Sequence, residues 1–315
     1  MAIGRGQTEL GGASSRAFPR WTWRLVPALL VCLSAPAFFV LQLSWLGWLL
    51  LVCGLAGAWF AERRGVARGV APVGVASGGA GASIGHGLYT MPPGVRAPSL
   101  LRDLSLIALG LIVVSLISLH AELDNAAFVR FTLALGGSVA LPYLVSRFVF
   151  RDRAIGFPWR GGTRWTAFQW TWLIAVLVLG WLILPFYFIT SGVYMNWPVV
   201  DTPELIARLF VGVGAVGIWD ELFFICTVFV LLCRHFPVWQ ANLLQAIVFV
   251  SFLWELGYQA WGPLLTIPFA LLQGFIFMKT RSLGYVVTVH LLFDAVVFLV
   301  LAHAHNPGLF GFFLV

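Results

Sequence analysis

Five ionisable side chains interrupt the apolar segments in the last third of the chain, and their types could do chemistry. They are Asp220, Glu221, Glu255, His290 and Asp294. An acidic residue deep in a membrane span costs roughly 2.5–3.5 kcal/mol on insertion scales, so such residues mark functional sites by default. Carboxylates and imidazoles are typical general acids and bases. The five side chains therefore predict a site that surrounds a bound water.

The spacing of these residues predicts how they meet. His290 and Asp294 are four residues apart and share one helix face, where the carboxylate can orient the imidazole or join it in holding a metal ion or a water. Asp220 and Glu221 are adjacent and diverge by about 100° around a helix, so we expect only one of them to point at a common centre. Alternatively, each polar side chain only hydrogen-bonds a neighbouring helix, which contributes around 0.6–2 kcal/mol.

Glu255 is the member of this set whose depth does not agree with the others. Straight helices that rise 1.5 Å per residue from their basic ends hold Glu255 and His290 at different depths. Either a helix break brings Glu255 to the site, or it lies elsewhere.

The composition sets the fold class. Of the 315 residues, 60% are hydrophobic and 10% are charged, whereas a soluble domain has about 25% charged residues. A water-soluble enzyme is therefore excluded, and we expect an all-α polytopic membrane protein with about nine transmembrane helices and a catalytic-type four-helix core in the C-terminal third. The four cysteines lie in apolar segments without a CxxC spacing, so no redox pair or cysteine zinc site is indicated.

Composition shifts along the chain predict six regions. The segment 25–61 carries no charge, and its pattern fits two spans, one span or a signal segment. In order, the regions are a basic cytoplasmic N-terminus at 1–24, a transmembrane hairpin at 25–61, a flexible Gly- and Ala-rich cytoplasmic loop at 62–103, three transmembrane helices at 104–190, the core at 204–303 and an apolar tail at 304–315.

The positive charge indicates topology. The formal net charge is +7, and 17 of the 19 Lys and Arg residues fall in five clusters between apolar runs. Basic loops stay in the cytoplasm during insertion, and nine spans from a cytoplasmic N-terminus place every cluster on that side. We therefore expect a multi-pass protein of the plasma membrane, such as the bacterial inner membrane. No aromatic-interleaved basic stripe points to nucleic acid, so the bilayer is the expected partner.

Three segments of the C-terminal third carry a family resemblance. They read DELFFI at 220–225, FLWELG at 252–257 and HLLFD at 290–294. They resemble the EExxxR, FxxxH and HxxxN/D motifs of the CPBP family of intramembrane metalloproteases, which includes the CAAX-processing endopeptidases and bacterial proteins linked to bacteriocin self-protection. Glu221, His290 and Asp294 match these motifs, whereas Ile225 replaces the arginine and Glu255 stands in place of a histidine.

The resemblance implies a hydrolase that cleaves a membrane-embedded or lipidated protein near its C-terminus. It implies that Glu221 or Asp220 activates water, that His290 polarises this water or binds a metal, that Asp294 orients it and that Glu255 completes the site. A divalent metal, zinc or another, would be held by His290, Glu221 and Asp294. A metal-free site with Glu221 or Glu255 as the base stays open.

Two other functions stay open. Loss of the motif's arginine and of one histidine also fits a catalytically degenerate homologue, a pseudoenzyme that binds membrane partners without cleaving them. Buried acids could alternatively serve as relay sites in a transporter or proton-coupled carrier. The chain has no internal repeat, which counts against a transporter.

Overall fold

The computed structural model describes residues 23–67, 98–161, 164–311 and 313. Within these residues the fold is all-α, as predicted, with nine helices and no strand. Residues 1–22 and 68–97, which hold most of the predicted basic N-terminus and of the Gly- and Ala-rich loop, lie outside the described residues. The helices are α1 (Leu25–Phe39), α2 (Ser44–Ala67), α3 (Leu100–Ser115), α4 (Asn125–Leu144), α5 (Ala167–Pro185), α6 (Pro203–Cys233), α7 (Val238–Leu256), α8 (Pro263–Thr280) and α9 (Leu283–His305).

Six of the helices formed by the described residues are long and apolar enough to cross a membrane. Helices α4 and α5 each continue into a π-helical turn, at Val145–Val149 and Phe186–Thr190. The six are α2, α4, α5, α6, α8 and α9. Helix α1 is apolar but only 15 residues long. The architecture is therefore that of a multi-pass membrane protein.

Polar caps define where several helices begin. In each case a Ser, Thr or Asp side chain accepts a hydrogen bond from a backbone N–H in the first turn, which satisfies a donor that the helix itself leaves unpaired. Proline at the first position of α6 adds a preset backbone angle. The capping residues are Ser99, Asp124, Thr166, Thr202 and Ser282.

Helix α6 changes its winding in the middle of the bundle. It is α-helical over Pro203–Asp220, π-helical over Glu221–Phe229 and α-helical again over Val230–Cys233. Eight of the nine residues of the π-helical segment are buried, and it packs against α3, α4, α7, α8 and α9. Such wider turns occur mostly at functional sites. The winding changes at the Asp220–Glu221 step, which carries two of the candidate site residues.

A buried ion-pair network lies at the end of the bundle where α6 stops. Arg234 contacts Asp103 of α3 and Asp152 of the loop after α4, each at 2.9 Å, and His235 Nε2 lies 2.7 Å from the second oxygen of Asp103. The Arg234 side chain is only 2% exposed. The sequence places these acids at a helix end and in a loop, yet the fold buries both of them.

Candidate active site

Four of the five candidate residues meet around one imidazole ring. His290 Nδ1 lies 2.7 Å from Oε1 of Glu221. On the other edge of the ring, Nε2 lies 3.5 Å from Oδ2 of Asp220 and 3.8 Å from Oδ1 of Asp294. All four side chains are buried. Helices α6 and α9, whose contact is extensive, therefore place three carboxylates around a single histidine.

Asp220 and Glu221 both reach His290, although their adjacency led us to expect only one to face a common centre. The difference arises because the imidazole has nitrogens on two edges. Glu221 engages Nδ1 and Asp220 faces Nε2, so side chains that diverge around α6 can still contact the same ring.

Glu255 does not join this cluster. It lies at the end of α7, where Oε1 accepts a hydrogen bond of 3.2 Å from the backbone N–H of Leu119. This contact fixes the segment after α3. Helix α7 ends one residue later, at Leu256, and is followed by Gly257, whose φ of 131° is open to glycine but strained for other residues. Among the described contacts, no hydrogen bond or ion pair joins Glu255 to Asp220, Glu221, His290 or Asp294.

The hydrogen bonds around Glu221 indicate that Nδ1 of His290 carries a proton. Gln273 of α8 donates through Nε2 to the same Oε1 of Glu221, at 2.6 Å. An amide nitrogen can only donate, so this oxygen acts as an acceptor. Donation from His290 Nδ1 to it completes the pair, and Nε2 lies between Asp220 and Asp294. Gln273 is not among the five candidate residues, and a neutral side chain carries no charge that would mark it in the sequence.

An apolar cavity of about 610 Å³ lies beside His290. Asp220, His290 and Asp294 contribute to its wall, and Glu221 does not. The remaining lining comes mainly from apolar side chains of α4, α6, α8 and α9, such as Phe131, Leu135, Val213, Val216, Phe269 and Phe293. A polar edge in an apolar cavity is the arrangement that positions one reactive group of a largely apolar ligand.

Three buried carboxylate oxygens at the site have no hydrogen-bond partner among the described residues. They are Oδ1 of Asp220, Oε2 of Glu221 and Oδ2 of Asp294. Buried acceptors in proteins nearly always have a hydrogen-bond partner, so a buried acceptor without one often indicates a functional site. Each of these oxygens is therefore a candidate acceptor of a hydrogen bond at the site.

The metal set predicted from the sequence does not fit this geometry. Glu221 contacts Nδ1 of His290 whereas Asp294 faces Nε2, so the two carboxylates approach opposite edges of the ring and cannot share one ion on the same nitrogen. In the part of the chain that the structure describes, no three His, Cys, Asp or Glu side chains form a group that could hold a metal ion. We therefore derive no step through a metal.

Gly217 allows Asp294 to approach α6. A Cβ atom at Gly217 would lie 1.9 Å from Oδ2 of Asp294 and 3.4 Å from Cδ2 of His290. We expect Gly217→Ala to displace the carboxylate and to lower the free energy of unfolding by about 1–3 kcal/mol, which is the cost of overpacking a buried site. Unfolding in detergent by a denaturant series measures this effect.

Gly214 provides the matched control on the same helix. A Cβ atom there would meet only Cδ2 of Leu291, at 3.8 Å, which is an ordinary van der Waals distance, so Gly214→Ala should keep the wild-type stability. Equal unfolding free energies of the two variants would contradict the predicted effect of the close approach at Gly217.

One comparison with known proteins identifies a family. Residues 202–296 match the family described as type II CAAX prenyl endopeptidase, Rce1-like, and this match spans α6, α7, α8 and most of α9. It includes all five candidate residues and Gln273. No curated protein and no solved structure matches the chain. The resemblance to the CPBP family is thus confirmed: residues 202–296 of this chain are a domain of the Rce1-like family of type II CAAX prenyl endopeptidases.

Proposed function

We propose that this protein is an intramembrane endopeptidase that cleaves a membrane-anchored protein near its C-terminus. The observation that carries the proposal is the buried Glu221–His290 pair, whose imidazole contributes to the wall of an apolar cavity. The family of residues 202–296 supports a protein substrate. The apolar lining of the cavity supports a lipidated or hydrophobic segment as its occupant.

In the proposed reaction, His290 is the general base. Nε2 takes a proton from a water as the water oxygen bonds to the carbonyl carbon of the scissile peptide. Nε2–H then gives this proton to the amide nitrogen as the C–N bond breaks, which releases the amine and a carboxylic acid. Glu221 holds Nδ1–H and stabilises the imidazolium that forms between the two steps.

Asp220 and Asp294 hold the attacking water in this proposal. Their oxygens flank Nε2 at 3.5 and 3.8 Å, and each carries one buried oxygen that no described residue pairs. A water between them can donate one hydrogen to Nε2 and the other to a carboxylate. This assignment differs from the one that the family resemblance implies, in which Glu221 or Asp220 activates the water, because here Glu221 lies behind the ring.

We further propose that all nine helices cross a plasma membrane, such as the bacterial inner membrane, and that the N-terminus lies in the cytoplasm. The six long apolar helices support most of these crossings. The basic clusters between the apolar segments support the orientation. The regions 1–24, 25–61, 62–103, 104–190, 204–303 and 304–315 are proposed as the corresponding divisions of the chain.

The experiment is a cleavage assay with the full chain in liposomes. A prenylated CAAX peptide and the same peptide without the prenyl group are incubated with the protein, and the products are identified by mass spectrometry. We expect loss of C-terminal residues from the prenylated peptide, abolished by His290→Ala and retained by Glu255→Gln, whose side chain lies outside the cluster. Cleavage that survives His290→Ala would contradict the proposal.

A second candidate function is binding of such a substrate without cleavage. It is favoured by Ile225, which stands where the family motif has arginine and is buried in the apolar core. Photo-crosslinking of the prenylated peptide to the protein distinguishes the two functions. Crosslinking in the cavity without any product would favour the binding protein.

A further inference from the structure

Gln273 is a neutral side chain that contacts the candidate site from a third helix. It lies on α8, is 3% exposed, and donates through Nε2 both to Oε1 of Glu221 at 2.6 Å and to the backbone carbonyl of Val286 at 3.2 Å. Both partners are acceptors, so the NH₂ group of Gln273, and not its amide oxygen, must face them. The side chain therefore joins the carboxylate of α6 to the backbone of α9.

A second set of amide contacts fixes the helix that carries Gln273. On α7, Gln245 donates to Oδ1 of Asn242 at 3.0 Å and to the carbonyl of Ala270 at 2.9 Å. Asn242 donates to the carbonyl of Leu271 at 2.7 Å. Buried amides paired in this way hold helices in one register. Helix α8 is thus locked against α7 immediately before Gln273.

Gly274 makes this locking possible. A Cβ atom at Gly274 would lie 2.0 Å from Oδ1 of Asn242, so only glycine lets the amide approach. The register of α8 is consequently set within one residue of the contact with Glu221.

We propose that Gln273 is a positioning residue that selects the Nδ1–H tautomer of His290 by holding Glu221. The effect on catalysis rests on the proposed function, whereas the effect on the tautomer does not. The imidazole stands between competing acceptors, with Glu221 at 2.7 Å from Nδ1 and the carboxylates of Asp220 and Asp294 at 3.5 and 3.8 Å from Nε2. If Glu221 moves, the proton goes to the other nitrogen.

The selected tautomer decides whether the ring can act as a base. With the proton on Nδ1, the lone pair of Nε2 faces the cavity. With the proton on Nε2, the lone pair points away from the cavity toward Glu221, and no proton can be taken from a water at the cavity wall. Gln273 acts on the reaction through Glu221 and His290 and touches no reacting atom.

The test is ¹⁵N NMR of the full chain with labelled histidine imidazoles. The chain has six histidines, and the signal that disappears in His290→Gln is assigned to His290. In the wild type we expect the chemical shifts of the Nδ1–H tautomer. In Gln273→Met, which keeps the length of the side chain but removes the donor, we expect the tautomer ratio to move about tenfold toward Nε2–H, the effect of losing one hydrogen bond to a charged group.

Gln245→Met is the matched control. It removes another buried glutamine donor, from the α7–α8 contact, and leaves the Gln273–Glu221 hydrogen bond in place. We expect a comparable loss of thermal stability in both variants but a change of tautomer only in Gln273→Met. An unchanged tautomer in folded Gln273→Met, or an equal change in Gln245→Met, would overturn the proposal.

The NMR measurement needs no substrate, so it is independent of the proposed function. In the cleavage assay, Gln273→Met should lower kcat about tenfold with little change in KM, since no substrate contact is lost. A tautomer that moves in a protein without cleavage would refute the endopeptidase and keep the positioning role. Cleavage with an unmoved tautomer would refute the positioning role alone.

Discussion

Replacing Glu221 by glutamine should lower kcat by about 10²–10⁴-fold while the protein stays folded. The change keeps the size of the side chain but removes the charge that stabilises the imidazolium of His290 during proton transfer. The amide oxygen can still accept the hydrogen bonds from Gln273 and from Nδ1 of His290, so the lost charge accounts for the effect. Single-turnover cleavage of the prenylated peptide measures the effect.

The double variant gives this prediction its sharpest form. If Glu221 acts only through His290, then Glu221→Gln combined with His290→Gln should be no slower than His290→Gln alone, because residues that act as a unit are not additive. Glu204→Gln is the control on the same helix, since Glu204 is exposed and pairs only with Arg208 among the contacts described. Wild-type turnover in Glu221→Gln, or full additivity in the double variant, would refute the shared role.

The part of the site that follows from sequence is the part encoded by local spacing. His290 and Asp294 share a helix face because they are four residues apart, and both line the cavity in the structure. The cost of burying acids in apolar segments also indicates Asp220 and Glu221 without any knowledge of the fold. Such arguments require only helical periodicity and the chemistry of the side chains.

The rest depends on packing between distant segments, which spacing does not encode. Glu221 and His290 are 69 positions apart, and Glu221 and Gln273 are 52 apart. A neutral glutamine carries no insertion penalty large enough to stand out from the many amides that join membrane helices. Glu255 shows the opposite error. Its charge in an apolar segment marks it as a site residue, although its side chain accepts a hydrogen bond from the backbone N–H of Leu119.

The fold shows the same division. Apolar composition predicts an all-α membrane protein, whereas the π-helical segment of α6 has no sequence signature in its run of apolar residues. Asp103 and Asp152 were placed at a helix end and in a loop by their position along the chain. Their burial depends on where Arg234 lies in three dimensions, which the positive-inside pattern does not specify.

Replacing Arg234 by methionine should therefore be among the most destabilising single changes in the chain. Arg234 bridges Asp103 and Asp152 at 2.9 Å each, with all three side chains at most 3% exposed. Removing the guanidinium leaves two buried carboxylates with less compensation, and breaking a buried ion pair in this way costs about 3–5 kcal/mol. Unfolding in detergent by a denaturant series measures the loss of free energy.

Two comparison variants separate the network from a general effect of lost charge. Arg130→Met breaks an exposed pair with Glu122, so it should cost no more than about 1 kcal/mol. Arg234→Met combined with Asp103→Asn should recover part of the loss, because one uncompensated carboxylate is removed. Equal costs for Arg130→Met and Arg234→Met would contradict the prediction. A large cost confined to Arg234 would mean that α3, the loop after α4 and the end of α6 are held together by one side chain, which fixes the helix that carries Glu221.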